Sequence, residues 1–268
     1  TPELDKYYKD LDLYLKILEN TDYLTGMLVI GDAGIGKSYY IKKKFKGTNI
    51  LLSGHITAKE LYLTYYNHPQ AHIIIDDPSS IYKSVDSLGL LLQATQTEPI
   101  RMIHWHTSTL KIPKTTIFYG KTTLIQNYDV DNDIIESRCL IKHLNYDLNT
   151  KIRMLYEFAK VINAPLEIID EIKNKSIYGE IINKKLSFRT VQKLLAFYKN
   201  DKNWKERVFE SMGLREDKIN IYEIISGIER DNTINKVETF KEKTGMSKRT
   251  YERLRQELGL SRKYIRKV

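Results

Sequence analysis

The apolar positions of this chain follow one rhythm as far as about residue 145 and another beyond it. In the first stretch, short apolar runs alternate with helix-like segments. Met27-Leu28-Val29-Ile30 ends in a glycine-rich turn, and 37–45 reads as the helix that follows. Next come a short buried strand at 49–53, a helix at 57–67, an isoleucine-rich strand at 71–77, a helix at 87–96 and a strand at 122–126 leading into Asn127. Strands that alternate with helices imply a parallel sheet covered on both faces. Between Arg101 and Tyr119 the pattern breaks: 101–106 and 115–119 read as two strands around a polar tip, a β-hairpin inserted ahead of the Asn127 strand. From Asn149 the period is helical, with helices expected over 151–163, 165–174 and 188–199, a polar break at 201–203 and a second helical block to Arg230. The expected domains are 1–147, an α/β core, 148–200, a helical segment, and 201–268, a C-terminal α-helical domain.

The turn after the first strand carries the most chemistry. Gly31, Asp32, Ala33, Gly34, Ile35, Gly36, Lys37 and Ser38 fit GxxxxGK[ST] without a mismatch, between a strand and a helix. In that context the glycines let successive backbone N–H groups point inward at phosphate oxygens, and the helix adds its positive end. Lys37 is placed to reach the β- and γ-phosphates of ATP and Ser38 to hold Mg²⁺, with the adjoining Tyr39 completing the nucleotide-binding set. The second isoleucine-rich strand ends in Asp76-Asp77, about forty residues on. Asp76 is the expected magnesium-side carboxylate and Asp77 the expected water-activating one.

Charge adds a second function. The net charge is +9, and from Thr233 to Val268 there are 11 Lys and Arg against 4 Glu, which leaves 32 basic against 30 acidic residues elsewhere. A nearly neutral body with a basic tail suits a polyanion partner. In that tail, 235–243 and 247–258 read as two helices around Thr244-Gly245-Met246, with Ser247 as N-cap. Val237 and Phe240 face Tyr251, Leu254 and Leu258, which leaves Lys248, Arg249, Arg253 and Arg255 outward as the expected contacts to duplex DNA. Arg262, Lys263, Arg266 and Lys267 add candidate backbone contacts. No apolar run approaches the roughly 20 residues that span a membrane. The first twenty residues read as an amphipathic helix rather than a signal peptide, and the lone Cys139 fits a reducing, cytoplasmic setting.

Taken together, the chain resembles the AAA+ ATPases, in the form encoded by phages, archaeal viruses and plasmids. The resemblance rests on Gly31–Ser38, Ile73–Asp77, Asn127, Ser137-Arg138 and Leu186-Ser187-Phe188-Arg189, and covers roughly 24–199. It implies a P-loop α/β core with a helical lid; the tail's two helices and tight turn resemble generic helix-turn-helix modules, so the expected fold ends in an α-helical (winged) helix-turn-helix domain. The AAA+ resemblance also implies Asn127 as γ-phosphate sensor, Arg138 as an arginine finger reaching a neighbouring subunit, and Arg189 as a second sensor. A finger acting in trans implies a homo-oligomer, a ring or spiral with ATP sites between subunits. The family usually carries Asp-Glu where this chain has Asp76-Asp77, a departure that allows slow, switch-like turnover. The hairpin tip, with Lys111 and Lys114, resembles the DNA-engaging hairpin of some AAA+ clades, including superfamily-three helicases, and implies contact with single-stranded DNA. The expected function is a DNA-binding ATPase in replication initiation or remodelling for a virus or plasmid. A hexameric helicase and an ATP-switched transcription regulator are the alternatives.

Overall fold

The structure is a computed structural model that describes residues 2–106, 112–128, 133–175, 179–230 and 233–257. The chain divides into two compact units, Leu4–Asn145 and Tyr146–Val268. The first boundary expected from the sequence falls two residues from this division. The second, at 200/201, separates no compact unit, because Trp204, Val208 and Met212 share one core with Val191 and Leu194.

The first unit is built on strands β1 (Gly26–Gly31), β2 (Asn49–Ser53), β3 (His72–Asp76), β4 (Arg101–His104), β5 (Thr115–Phe118), β6 (Lys121–Gln126) and β7 (Cys139–Leu144). Five form a parallel sheet in the order β2-β3-β6-β1-β7. Every residue of β1 is buried, as are the first four of β3 and the last five of β6. Both faces are therefore covered, which explains why β1 and β3 read as unbroken apolar runs rather than alternating ones. The helix after β1, Lys37–Lys44, carries the chain to the far edge of the sheet, so β6 enters later between β3 and β1. That insertion sets the site: the carboxyl end of β6 lies between the turns that follow β1 and β3. Crevices outside strand ends at such a switch in order are where open α/β sheets bind ligands.

Two helices of this unit, Ala58–Asn67 and Val85–Ala94, start where a side-chain oxygen caps them. The Thr57 hydroxyl accepts from the Glu60 N–H and the Ser84 hydroxyl from the Ser87 N–H. Strand β7 was missed in the sequence pattern. It is an edge strand buried only at Cys139 and Leu144, so Lys142 and His143 interrupt the apolar signal. Its approach to β1 depends on Gly31, where a Cβ would meet the Leu144 carbonyl oxygen at 2.8 Å.

The hairpin is present as β4 and β5, paired antiparallel from Arg101↔Phe118 to His104↔Thr115. Of its expected tip, 107–114, residues 107–111 lie outside the described residues, and with them Lys111. Arg101 is only 1% exposed and anchors the base. Its guanidinium donates to the carbonyls of Glu98 at 3.1 Å, Pro99 at 2.9 Å and Gly120, and lies 5.1 Å from the centre of the Phe118 ring. Trp105 is a packed residue, its ring 5.5 Å from that of Tyr62, whose hydroxyl donates to the Pro113 carbonyl at 2.6 Å.

The second unit is helical, with no strand among its described residues. The β wing allowed by the sequence reading is therefore not seen there, and 258–268 lie outside the described residues. Its longer helices are Leu148–Val161, Glu167–Asn174, Gly179–Lys185, Phe188–Asn200, Glu216–Arg230, Lys236–Thr244 and Lys248–Glu257, with a short one at Val208–Ser211. Of these, Gly179–Lys185 was not expected from the sequence. The last two in the chain are joined by Gly245 at φ 70°, Met246 and Ser247, and they meet through Phe240 and Tyr251, whose ring centres are 5.0 Å apart. No helix among the described residues is long and apolar enough to cross a membrane.

Candidate nucleotide site

At the carboxyl end of β1 the chain makes the tight loop its glycines allow. Gly34 and Gly36 take φ of 70° and 87°, a region that L side chains avoid, so these positions require glycine. The Gly36 carbonyl accepts from the Tyr40 N–H at 2.9 Å, which begins the helix Lys37–Lys44. Lys37, 5% exposed, folds back across the loop. Its ammonium donates to the carbonyls of Gly31 at 2.7 Å and Asp32 at 2.8 Å, and to Asn127 Oδ1 at 3.0 Å. The Ser38 hydroxyl donates to Asp76 Oδ2 at 2.6 Å. The turns after β1, β3 and β6 are thus linked by two side-chain hydrogen bonds, and four of the residues expected at a nucleotide site stand together: Lys37, Ser38, Asp76 and Asn127.

The remaining expected residues behave differently. Asp77 takes φ 61°, a left-handed conformation that Asp tolerates because its short side chain can bond locally. Its Oδ1 accepts from the Ser79 N–H at 3.3 Å, and its own N–H donates to the Ile125 carbonyl at 2.9 Å. The carboxylate is exposed and turned toward its own backbone. Arg138 is half-buried and donates to the Leu92 carbonyl at 2.6 Å, so its guanidinium is held within its own unit. Tyr39 is 74% exposed beside the loop. Arg189 belongs to the helical unit, exposed in the first turn of the helix Phe188–Asn200 that Ser187 caps.

Among the expected DNA contacts, Lys248, Arg249 and Arg253 are exposed on the last described helix, and Lys114 is exposed beside the hairpin tip. Arg255 departs from the expectation of an outward position. Its Nε lies 2.6 Å from Glu229 Oε1, and its guanidinium sits 5.6 Å from the centre of the Tyr251 ring. Glu229 also accepts from the Tyr251 hydroxyl and from Lys236 Nζ at 3.3 Å. One carboxylate therefore ties three helices together, and Arg255 is part of that internal tie. Burial raises the Glu229 pKa, but the hydrogen bonds from Tyr251 and Lys236 and the charges of Arg255 and Lys236 outweigh it and hold the carboxyl below its usual range. Sequence spacing alone did not reveal the tie, because Glu229 lies 26 residues before Arg255.

No protein-family model matches the chain, and no curated protein matches it. The fold itself is shared. The ORC2 protein of Aeropyrum pernix, solved as ADPNP-ADP complexes, superposes with a TM-score of 0.51 at 13% identity, over 96% of this chain and 86% of that one. PCH-2 of C. elegans gives a TM-score of 0.42 at 12% identity, over 82% of this chain and 70% of that one. The parallel sheet with its covering helices is accordingly an α/β fold that this chain shares with the ORC2 protein.

Proposed function

We propose that this chain is an ATP- and Mg²⁺-dependent, DNA-binding ATPase of the AAA+ type that works as a homo-oligomer. The observation that carries the reading is the convergence of Lys37, Ser38, Asp76 and Asn127 at three strand ends, joined by bonds of 3.0 and 2.6 Å. The loop fits a polyphosphate, because Gly34 and Gly36 hold the backbone in a curled form and Lys37 supplies a charge at its centre. The donors also fit Mg²⁺, which takes one or two carboxylates and completes its shell with water and phosphate oxygens. Among the described residues no group of three or more His, Cys, Asp or Glu could hold a metal unaided, so Ser38 and Asp76 would act with the phosphates. When bound, the metal would offset charge on the β- and γ-phosphates.

This chain's own residues would do the rest. Lys37 would exchange its loop carbonyls for phosphate oxygens, Asn127 would orient the attacking water or the γ-phosphate, and Asp77 would accept the water's proton. Arg138 from a neighbouring copy, released from the Leu92 carbonyl, would neutralise charge on the transferred group. Arg189 would contact the nucleotide from its own subunit. Lys248, Arg249 and Arg253 would grip duplex DNA, with Lys111 and Lys114 on single strands at the hairpin tip. Replication initiation for a virus or plasmid is the role this combination fits.

A second reading, an ATP-switched regulator with slow turnover, is favoured by one observation. Asp77 bonds its own backbone at Ser79 rather than facing the loop. ATPase rate per subunit against protein concentration, with and without duplex DNA, tests both readings for wild type and Arg138→Ala. The oligomeric ATPase requires a rate that rises with concentration and falls in the variant. A rate independent of both contradicts the shared site, and negligible hydrolysis with intact DNA binding favours the switch.

A further inference from the structure

The segment ahead of β1 packs along the nucleotide loop. A single 3-10 turn, Lys6–Tyr8, runs into the helix Lys9–Asn20, which buries Leu11, Leu15 and Leu18 at helical spacing and lies against β7 and the helix Lys37–Lys44. Polar contacts reinforce this seat. Asp5 sits 3.1 Å from Lys44 and 3.5 Å from Lys43, and Glu19 Oε1 accepts from the Lys46 N–H at 2.7 Å. Tyr8 is the residue that reaches the loop. It is 3% exposed, its ring stacks on that of Tyr40 at 4.3 Å and 21°, and its hydroxyl donates to the carbonyl of Ile35.

That last bond acts on a particular peptide unit. No peptide bond in the described structure is cis, so the Ile35 carbonyl and the Gly36 N–H lie in one plane and point in opposite directions. Holding the carbonyl outward against Tyr8 aims the Gly36 N–H inward, among the amides that cradle phosphate in loops of this pattern. Glycine at 36, with φ 87°, would otherwise let this plane turn, because nothing in its own side chain restrains it.

We propose that Tyr8 is a positioning residue for nucleotide binding: through Ile35 it fixes the peptide plane whose N–H faces the phosphates. The inference rests on the nucleotide reading above. It makes the segment preceding the sheet part of the site without touching the ligand, and it means that displacing this segment weakens nucleotide binding.

Tyr8→Phe removes the hydroxyl and keeps the ring stacked on Tyr40. Tyr62→Phe removes a hydroxyl of the same kind, bonded to the Pro113 carbonyl at the hairpin. Titrating the full chain with ADP and with ADPNP, alongside melting of each nucleotide-free variant, separates positioning from general stability. Tyr8→Phe should bind both nucleotides about five-fold more weakly, the effect of one neutral hydrogen bond. Tyr62→Phe should bind like wild type even where its melting temperature falls by as much. Equal affinities for wild type and Tyr8→Phe overturn the inference and leave the nucleotide reading standing, as does an affinity loss that Tyr62→Phe reproduces. If wild type binds neither nucleotide, both fail.

Discussion

The two units of this protein carry opposite kinds of information. Residues 1–145 hold 16 basic and 16 acidic side chains and are neutral, while 146–268 hold 27 and 18 and account for the whole net charge of +9. All six histidines lie in the first unit. Its candidate chemistry is inward and linked, with Lys37 nearly buried and Ser38 bonded to Asp76. In the second, the candidate contacts Lys248, Arg249 and Arg253 stand in solvent on one helix. The difference teaches how each proposed partner would be recognised. A triphosphate needs donors fixed to a few tenths of an ångström, which a rigid sheet supplies. A polyanionic duplex needs charge density, which mobile exposed side chains supply.

The sharpest way to break this comparison is to strip charge from the second unit. Replacing Lys248, Arg249 and Arg253 together by Ala should weaken duplex DNA binding on the order of 100-fold at 0.15 M salt and flatten the salt dependence by about three units of slope. ADPNP affinity, measured on the same preparation, should not move. Next comes Lys37→Ala, which removes a charge-assisted contact and should weaken nucleotide binding about 10- to 100-fold while leaving nucleotide-free DNA binding intact.

Acid should also separate the units. His72 is buried between Asn49 Oδ1 at 3.1 Å and Thr123 Oγ1 at 2.7 Å. Burial, helped by the charge of Lys121, pushes its pKa down from 6.5 to about 3. The unfolded chain takes up a proton that the folded one refuses, so stability is complete above about pH 6.5 and is lost as pH falls below it. Between pH 6.5 and 5 the first unit should lose about 2 kcal/mol. The second unit's Glu229 has a depressed pKa, so its contribution is lost only below the ordinary carboxyl range. The two tryptophans, Trp105 and Trp204, fall one in each unit. Urea unfolding of Trp204→Phe and Trp105→Phe therefore reads each unit alone, and equal acid sensitivity would refute the contrast. The smallest effect is expected for Glu229→Gln, which weakens the tie to Tyr251, Lys236 and Arg255 and should destabilise the second unit by about 1–2 kcal/mol, without change at the nucleotide site.

The same contrast explains what could be read in advance. The core strands and the loop are local: an apolar run, a glycine pattern and a carboxylate at the strand end each lie within a few residues. Asn127 is expected at the loop only through the family resemblance, since the strand pattern shows no more than a strand ending there, and its Oδ1 accepts from Lys37. What escaped depends on partners distant in sequence. Strand β7 is recognisable only beside β1, since its own residues are mixed and half-exposed. Arg101 reads as a strand residue until the carbonyls of Glu98, Pro99 and Gly120 close around it. Tyr8 meets Ile35 across 27 residues, and Arg255 is drawn inward by a carboxylate on an earlier helix. Helical periodicity assigned Arg255 to the outer face because period alone cannot see a charge partner on another helix.

The central claim is that the ends of β1, β3 and β6 form one site for a triphosphate and its metal. Titrating wild type and Asp76→Asn with ADPNP, with and without Mg²⁺, tests it most directly. The account requires that Mg²⁺ tighten binding to wild type, and that Asp76→Asn keep its metal-free affinity and lose that gain. Absence of ADPNP binding by wild type, or an undiminished Mg²⁺ effect in Asp76→Asn, would contradict it.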